Sequence, residues 1–162
     1  MVLLRYLYVV ALVSWVGGLI VAGAIVAPSV FGVLQGWNAA EGRVLAGQVF
    51  GEVLLRLTWL SYAMGVIMFV TLTLHRLLGA RPLKYGVRVG IMALMLMMMF
   101  ALGFYILPQI NAIQSDVSGA VNALLETDAR RVEFDRLHGL SNILFSITAI
   151  GGLALCFWEA RE

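Results

Sequence analysis

The stretch Tyr6–Ala27 reads YLYVVALVSWVGGLIVAGAIVA, without one acidic or basic side chain. A membrane span needs roughly 17–25 predominantly apolar residues, and this run has that length. It is longer than the roughly 7–15 apolar residues at the centre of a secretory leader. Although Ala22-Gly23-Ala24 has the small-residue character of a cleavage site, the run is expected to be retained as a first span. Leu57–Leu74, Ile91–Leu107 and Leu140–Trp158 qualify as well, the second and fourth spans with a few polar residues. The expected fold is an all-α integral membrane four-helix bundle. It forms one domain over residues 1–162, with spans at about 6–27, 57–74, 91–107 and 140–158.

Composition agrees with this reading. Of the 162 residues, 62% are hydrophobic and 12% charged, against about 25% charged in a soluble domain. The net charge of +2 is small and scattered, so nucleic acid is not an expected partner. Cys156 is the single cysteine, which excludes an internal disulfide and a cysteine zinc site. No internal repeat is legible, and the methionine-rich Met92–Met99 is the one biased segment.

The connections give an orientation. Arg76, Arg81, Lys84 and Arg88 crowd the short link between the second and third spans, which holds no acid and turns at Gly79 and Pro82. Basic loops stay on the cytoplasmic side, so this link and both termini are expected inside, in a cytoplasmic (inner) membrane. Outside, Asn38-Ala39-Ala40-Glu41 has the form of a capping box. It predicts a helix that runs into the second span and bends near Gly51. Ile113, Val117, Val121 and Leu124 predict an amphipathic interfacial helix. Thr127-Asp128 then opens the helix of the fourth span. Pro28 and Pro108 lie near the outer ends of the two outward-running spans, where proline terminates a helix or, by kinking it, splays the ends around an opening.

Helices in lipid associate through small residues. Ser14, Gly18 and Ala22, then Ser61 and Gly65, then Gly86, Gly90 and Ala93, and finally Ser141, Asn142, Ala149 and Gly152 are expected to be packing stripes. Leu140, Leu144, Ile147 and Leu155 are expected to face lipid.

The polar residues that suggest chemistry gather at the outer surface. Glu52 and Arg56 stand four apart on one helix face, and Arg136, His138, Ser141 and Asn142 open the fourth span. Ionisable groups at membrane depth are functional candidates, whereas at the interface long side chains reach water easily. Haem is the cofactor to weigh. His75 and His138 are separated by the second span of about 18 residues, or roughly 27 Å, so one haem does not bridge them; His–Met or single-histidine ligation is the remaining form. Met64 and Met68, with Met92, Met95 and Met99, offer thioethers to Cu(I) or fill a core. Asp135, His138 and Ser141 keep the order of a hydrolytic triad, but three residues on one regular helix fan apart and lack a strained nucleophile turn.

Four segments, taken in order, resemble a known family. They are Trp15-Val-Gly-Gly with Ala27-Pro28-Ser29-Val30-Phe31, then Ala46-Gly47-Gln48-Val49-Phe50, then Tyr105-Ile106-Leu107-Pro108-Gln109-Ile110, and Arg136-Leu137-His138-Gly139-Leu140-Ser141. Together they resemble the transmembrane-protein-205-like family, whose bacterial members are grouped as domain of unknown function 4149. The resemblance implies a four-span membrane protein without an established molecular activity. A fainter likeness of the first span to copper-resistance-D-type and protoporphyrinogen-oxidase-type proteins would require a histidine there, and that span has none.

These residues lead to an expected function. It is a non-enzymatic membrane protein that binds or passes a small solute or lipid at an outer pocket of Glu52, Arg56, Arg136, His138, Ser141 and Asn142, rimmed by Pro28 and Pro108. A structural or accessory subunit of a larger membrane complex is the first alternative, and a haem- or copper-handling protein the second. No metal or cofactor is expected. The expected partners are the lipid bilayer and either other membrane subunits or a second copy of the chain.

Overall fold

The computed structural model describes residues 2–79, 82–118 and 121–161. It is helical, with no strand among the described residues. Helix α1 (Val2–Val21) passes through a π-turn (Ala22–Val26) into α2 (Ala27–Trp37). α3 (Ala39–Leu77) returns, and α4 (Tyr85–Ala101) passes through a second π-turn (Leu102–Ile106) into α5 (Leu107–Asp116). A 3-10 turn (Val121–Ala123) leads to α6 (Ala129–Glu159). The four continuous rods, of 31 to 39 residues, are long and apolar enough to cross a membrane. At 1.5 Å per residue they run roughly 46–58 Å, well beyond a hydrocarbon core of about 30 Å.

The rods alternate in direction and form a ring in which α1 packs on α3 and α6, and α4 packs on the same two. The starts of α1 and α4 and the ends of α3 and α6 share the terminal end; the opposite, distal end carries α2 and α5. Trp15, Leu12, Leu19, Met68, Met92, Met95, Met99, Leu102 and Leu155 fill the axis, each 1% exposed or less. The methionines are thus core side chains, where an unbranched thioether fits irregular gaps. Leu155 is buried rather than facing lipid. Ile143, Ile150, Leu153 and Phe157 cover the exterior of α6, an apolar coat suited to acyl chains.

Neither proline ends its helix. Proline lacks an N–H, and its ring collides with the carbonyl four residues back. In both rods the π-turn just before the proline widens the backbone: Ala27 N–H bonds Ala22 O, and Leu107 N–H bonds Leu102 O, five residues back. In each, glycine is the second residue of the π-turn and proline the second residue of the next helix. In the second, the Tyr62 hydroxyl donates to the Met99 carbonyl at 3.0 Å. A Cβ at Gly103 would strike that hydroxyl and stand 2.8 Å from Thr58 Cγ2, so glycine is what admits Tyr62. The first and third rods therefore share a plan that the sequence does not announce as a repeat.

The helix starts are as their caps predict. Asn38 Oδ1 accepts from the Ala40 and Glu41 backbone N–H groups, and Asp128 accepts from Arg130 N–H. α3 runs unbroken through Gly51. The predicted helix over Ile113–Leu124 is not one element: α5 stops at Asp116, and the turn at Val121–Ala123 is separate from it. Three small-residue stripes pack, with Gly18 on Leu57, Gly65 on Leu96 and Gly152 on Val16, whereas Gly86 and Gly90 have open space beside them.

Candidate functional site

At the terminal end the structure corrects the reading of the basic link. Arg88 is not a loop charge. It lies in α4, 1% exposed, and its guanidinium donates to Glu159 Oε2 of α6. Arg5 Nε donates to Glu159 Oε1 at 2.7 Å and its other nitrogen to the Glu159 carbonyl at 3.2 Å. The Arg88 guanidinium also lies 4.7 Å from the centre of the Tyr8 ring. Thr71 and His75 of α3 complete the wall of a cavity of only about 10 Å³, so all four rods meet and the end is closed. Of the other link charges, Arg76 stacks on Tyr85 and Lys84 caps α4 in a left-handed backbone. Arg81 lies outside the described residues.

The distal end is open. A cleft of about 360 Å³ lies between α2, α3, α5 and α6. A second, of about 490 Å³, adjoins it along Gly47, Gly51, Leu107, Asn111 and Gln114. The volumes are those of ordinary ligand sites. Glycines 47 and 51 leave the space open: a Cβ at Gly47 would stand 3.4 Å from Gln114 Nε2, in ordinary contact, and nothing lies near Gly51. α2 is fastened to α3 at Gly42, where a Cβ would collide with the Leu34 carbonyl. The aromatic walls are Phe31 edge-on to Phe50, centroids 6.3 Å apart, and Phe134 stacked on His138 at 5.9 Å.

The sequence-predicted residues divide among these features. His138 and Ser141 line the 360 Å³ cleft, and Glu52 lines its neighbour. Arg56 pairs with Glu52 at 2.9 Å but lies on a shallow apolar groove beside Gly18 and Ala22. Arg136 pairs with Glu133 on an exposed face, and Asn142 is exposed with its carbonyl accepting from Ser146. Pro28 and Pro108 are exposed and line neither cleft, because the helices continue past them. Asp135, His138 and Ser141 share the cleft without forming a relay: the Ser141 hydroxyl donates to the His138 carbonyl at 2.7 Å.

Other lining residues are invisible to motif reasoning. Gln35, Asn111, Gln114 and Asn122 bring four carboxamides, with Arg43 and Asp135 as one charge of each sign. None of the six side chains has a hydrogen-bonding or ionic partner among the described residues. The one signal in the sequence is Asn111 and Gln114, three apart just after Pro108, and it becomes readable once that helix is known to continue.

Residues 10–119 match the family described as a domain of unknown function, DUF4149. The chain belongs to the DUF4149 family. No curated protein and no solved structure matches it. The DUF4149 match runs from within α1 to just past α5, and so includes the α5 wall of the clefts but stops before α6.

Proposed function

We propose that this DUF4149 protein is a non-enzymatic membrane protein that binds or passes a small solute or lipid at the distal clefts, with that end facing outward. One observation carries the reading. Phe31, Gly47 and Phe50, Leu107 and Ile110, and His138 and Ser141 come from the four separate segments that carry the family resemblance, and they line one cleft. Unpartnered polar groups beside aromatic walls are the combination that ligand pockets use, apolar contact with a few polar groups to orient the ligand. The same segments support kinship with the transmembrane-protein-205-like proteins. Arg76 and Lys84 beside the short link favour the terminal end as the inner one. The test is mass spectrometry of small molecules and lipids extracted from the purified protein. A compound should be retained at fixed stoichiometry by the native chain and lost from Asn111→Leu and His138→Ala. Equal retention in both variants would remove the clefts from the function.

A second reading, an accessory subunit, is favoured by Gly86 and Gly90, which leave α4 room for another helix. Co-purification of another subunit at fixed stoichiometry, lost in Gly90→Leu, would establish it.

A further inference from the structure

The lining of the 360 Å³ cleft narrows the proposed binding function to a ligand class, an assignment that rests on that function. We infer that the cleft recognises an uncharged, polyhydroxylated group, a sugar ring, held between aromatic faces and carboxamides. The lining charges do not select an ion. Arg43 and Asp135 give the lining one formal charge of each sign, so it has no net charge to favour a phosphate, a carboxylate or an ammonium. What remains is four carboxamides, Gln35, Asn111, Gln114 and Asn122, spread over α2, α5 and the 3-10 turn. Each offers a carbonyl acceptor and two N–H donors. A hydroxyl is at once donor and acceptor, and neighbouring ring hydroxyls match such mixed pairs better than any ion does. These amides are free to bind, having no hydrogen bond among the described residues. The Gln114 amide lies beside Gly47, where the absence of a side chain leaves it open to the cleft.

The apolar part of the cleft fits the other half of a sugar. Pyranose rings carry a C–H face that stacks on aromatic carbon. Phe31 and Phe50 supply such carbon on one wall, and Phe134 with its stacked His138 on another. A wholly apolar ligand would leave the carboxamides desolvated and unpaired, which costs more than the stacking returns. The ring can come from a glycolipid in the adjacent leaflet or from a free saccharide, and the chemistry of recognition is the same.

The experiment uses the full chain in phosphatidylcholine nanodiscs. Free methyl glucoside is measured by equilibrium dialysis, and monoglucosyl diacylglycerol by native mass spectrometry of retained lipid. Phosphatidylglycerol and inorganic phosphate are the anionic arms. Binding of either glucosylated probe, weakened about tenfold by Gln114→Leu, as expected for one lost hydrogen bond, and unchanged by Arg136→Ala, supports the inference. Binding only of the lipid probe assigns the glycolipid source, and binding only of the methyl glucoside the soluble one. Asn122→Ala, in an exposed turn, serves as the second variant if Gln114→Leu does not fold. Retention of phosphatidylglycerol or phosphate in the cleft with no glucosylated probe bound overturns the sugar assignment and leaves the binding site standing. No binding in any arm, with no co-purified compound, overturns both.

Discussion

The two ends of the bundle handle polar groups in opposite ways. At the terminal end the charged groups are spent inward: Arg5 and Arg88 converge on Glu159, Tyr8 lies under a guanidinium, and the residual cavity is about 10 Å³. At the distal end carboxamides of three elements face about 360 Å³ of open cleft with their hydrogen-bonding capacity unused. Burial of charge is costly and tolerated only with good pairing, so the closed end is best explained as a fastening. Unspent amides cost little while water reaches them, so the open end can wait for a ligand. On the proposed function, stability and recognition fall to different ends of the same four helices.

The sharpest way to break this division is at Glu159. Replacing it with Gln removes the carboxylate that Arg88 and Arg5 share. Breaking a buried pair costs about 3–5 kcal/mol, and that should appear as the largest loss of unfolding free energy in detergent among the variants considered. Combining it with Arg88→Leu should recover much of the loss, because a buried charge is no longer left without its partner. Ligand retention by the folded fraction should stay unchanged. Loss of retention in the folded double variant would show that the ends are coupled and the division is false.

Gly42 tests the distal end from the structural side. A side chain there meets the Leu34 carbonyl, which is backbone and cannot swing away. Gly42→Val should therefore push α2 off α3, at a cost of about 1–3 kcal/mol, smaller than at Glu159. Because α2 supplies Phe31 and Gln35, this variant should lose ligand as well as stability. A stability loss with full retention would mean that α2 is not a wall of the functional site.

How much is legible in the sequence depends on the range of each interaction. The spans and both helix caps are local: an apolar run, or Asn38 and Asp128 within three residues of the N–H groups they accept from. Arg88 reads as a loop charge because its partner is 71 positions away. Pro28 and Pro108 read as terminators because a π-turn is invisible without the packing around it, Tyr62 on Gly103 in the second case. His138 and Ser141 are legible through one helix. Their companions in the cleft stand on four other elements, and no periodicity along one segment brings Gln35, Arg43, Asn111 and Asn122 together. Glu52 and Arg56 are legible as an i, i+4 pair, but that spacing does not say which way the pair faces.

The smallest effect separates charge from hydrogen bonding at the distal end itself. The Asp128 carboxyl is held below the usual carboxylate range, first by the Arg130 side chain and then by its backbone N–H. A depressed value in the folded chain means that the ionised cap stabilises above the unfolded pKa, about 3.9. This contribution fades as pH falls through the lower folded value. The difference in melting temperature between the native chain and Asp128→Ala should thus be constant from neutral pH to about pH 4 and shrink below it. Asn38 caps α3 through a carboxamide that does not titrate, so the difference for Asn38→Ala should not change with pH. A gap at Asp128 that persisted undiminished at pH 3 would show that this cap, like the one at Asn38, acts through hydrogen bonds alone. The start of α6 would then be capped as the start of α3 is, by hydrogen bonds without a contribution from the carboxylate's charge.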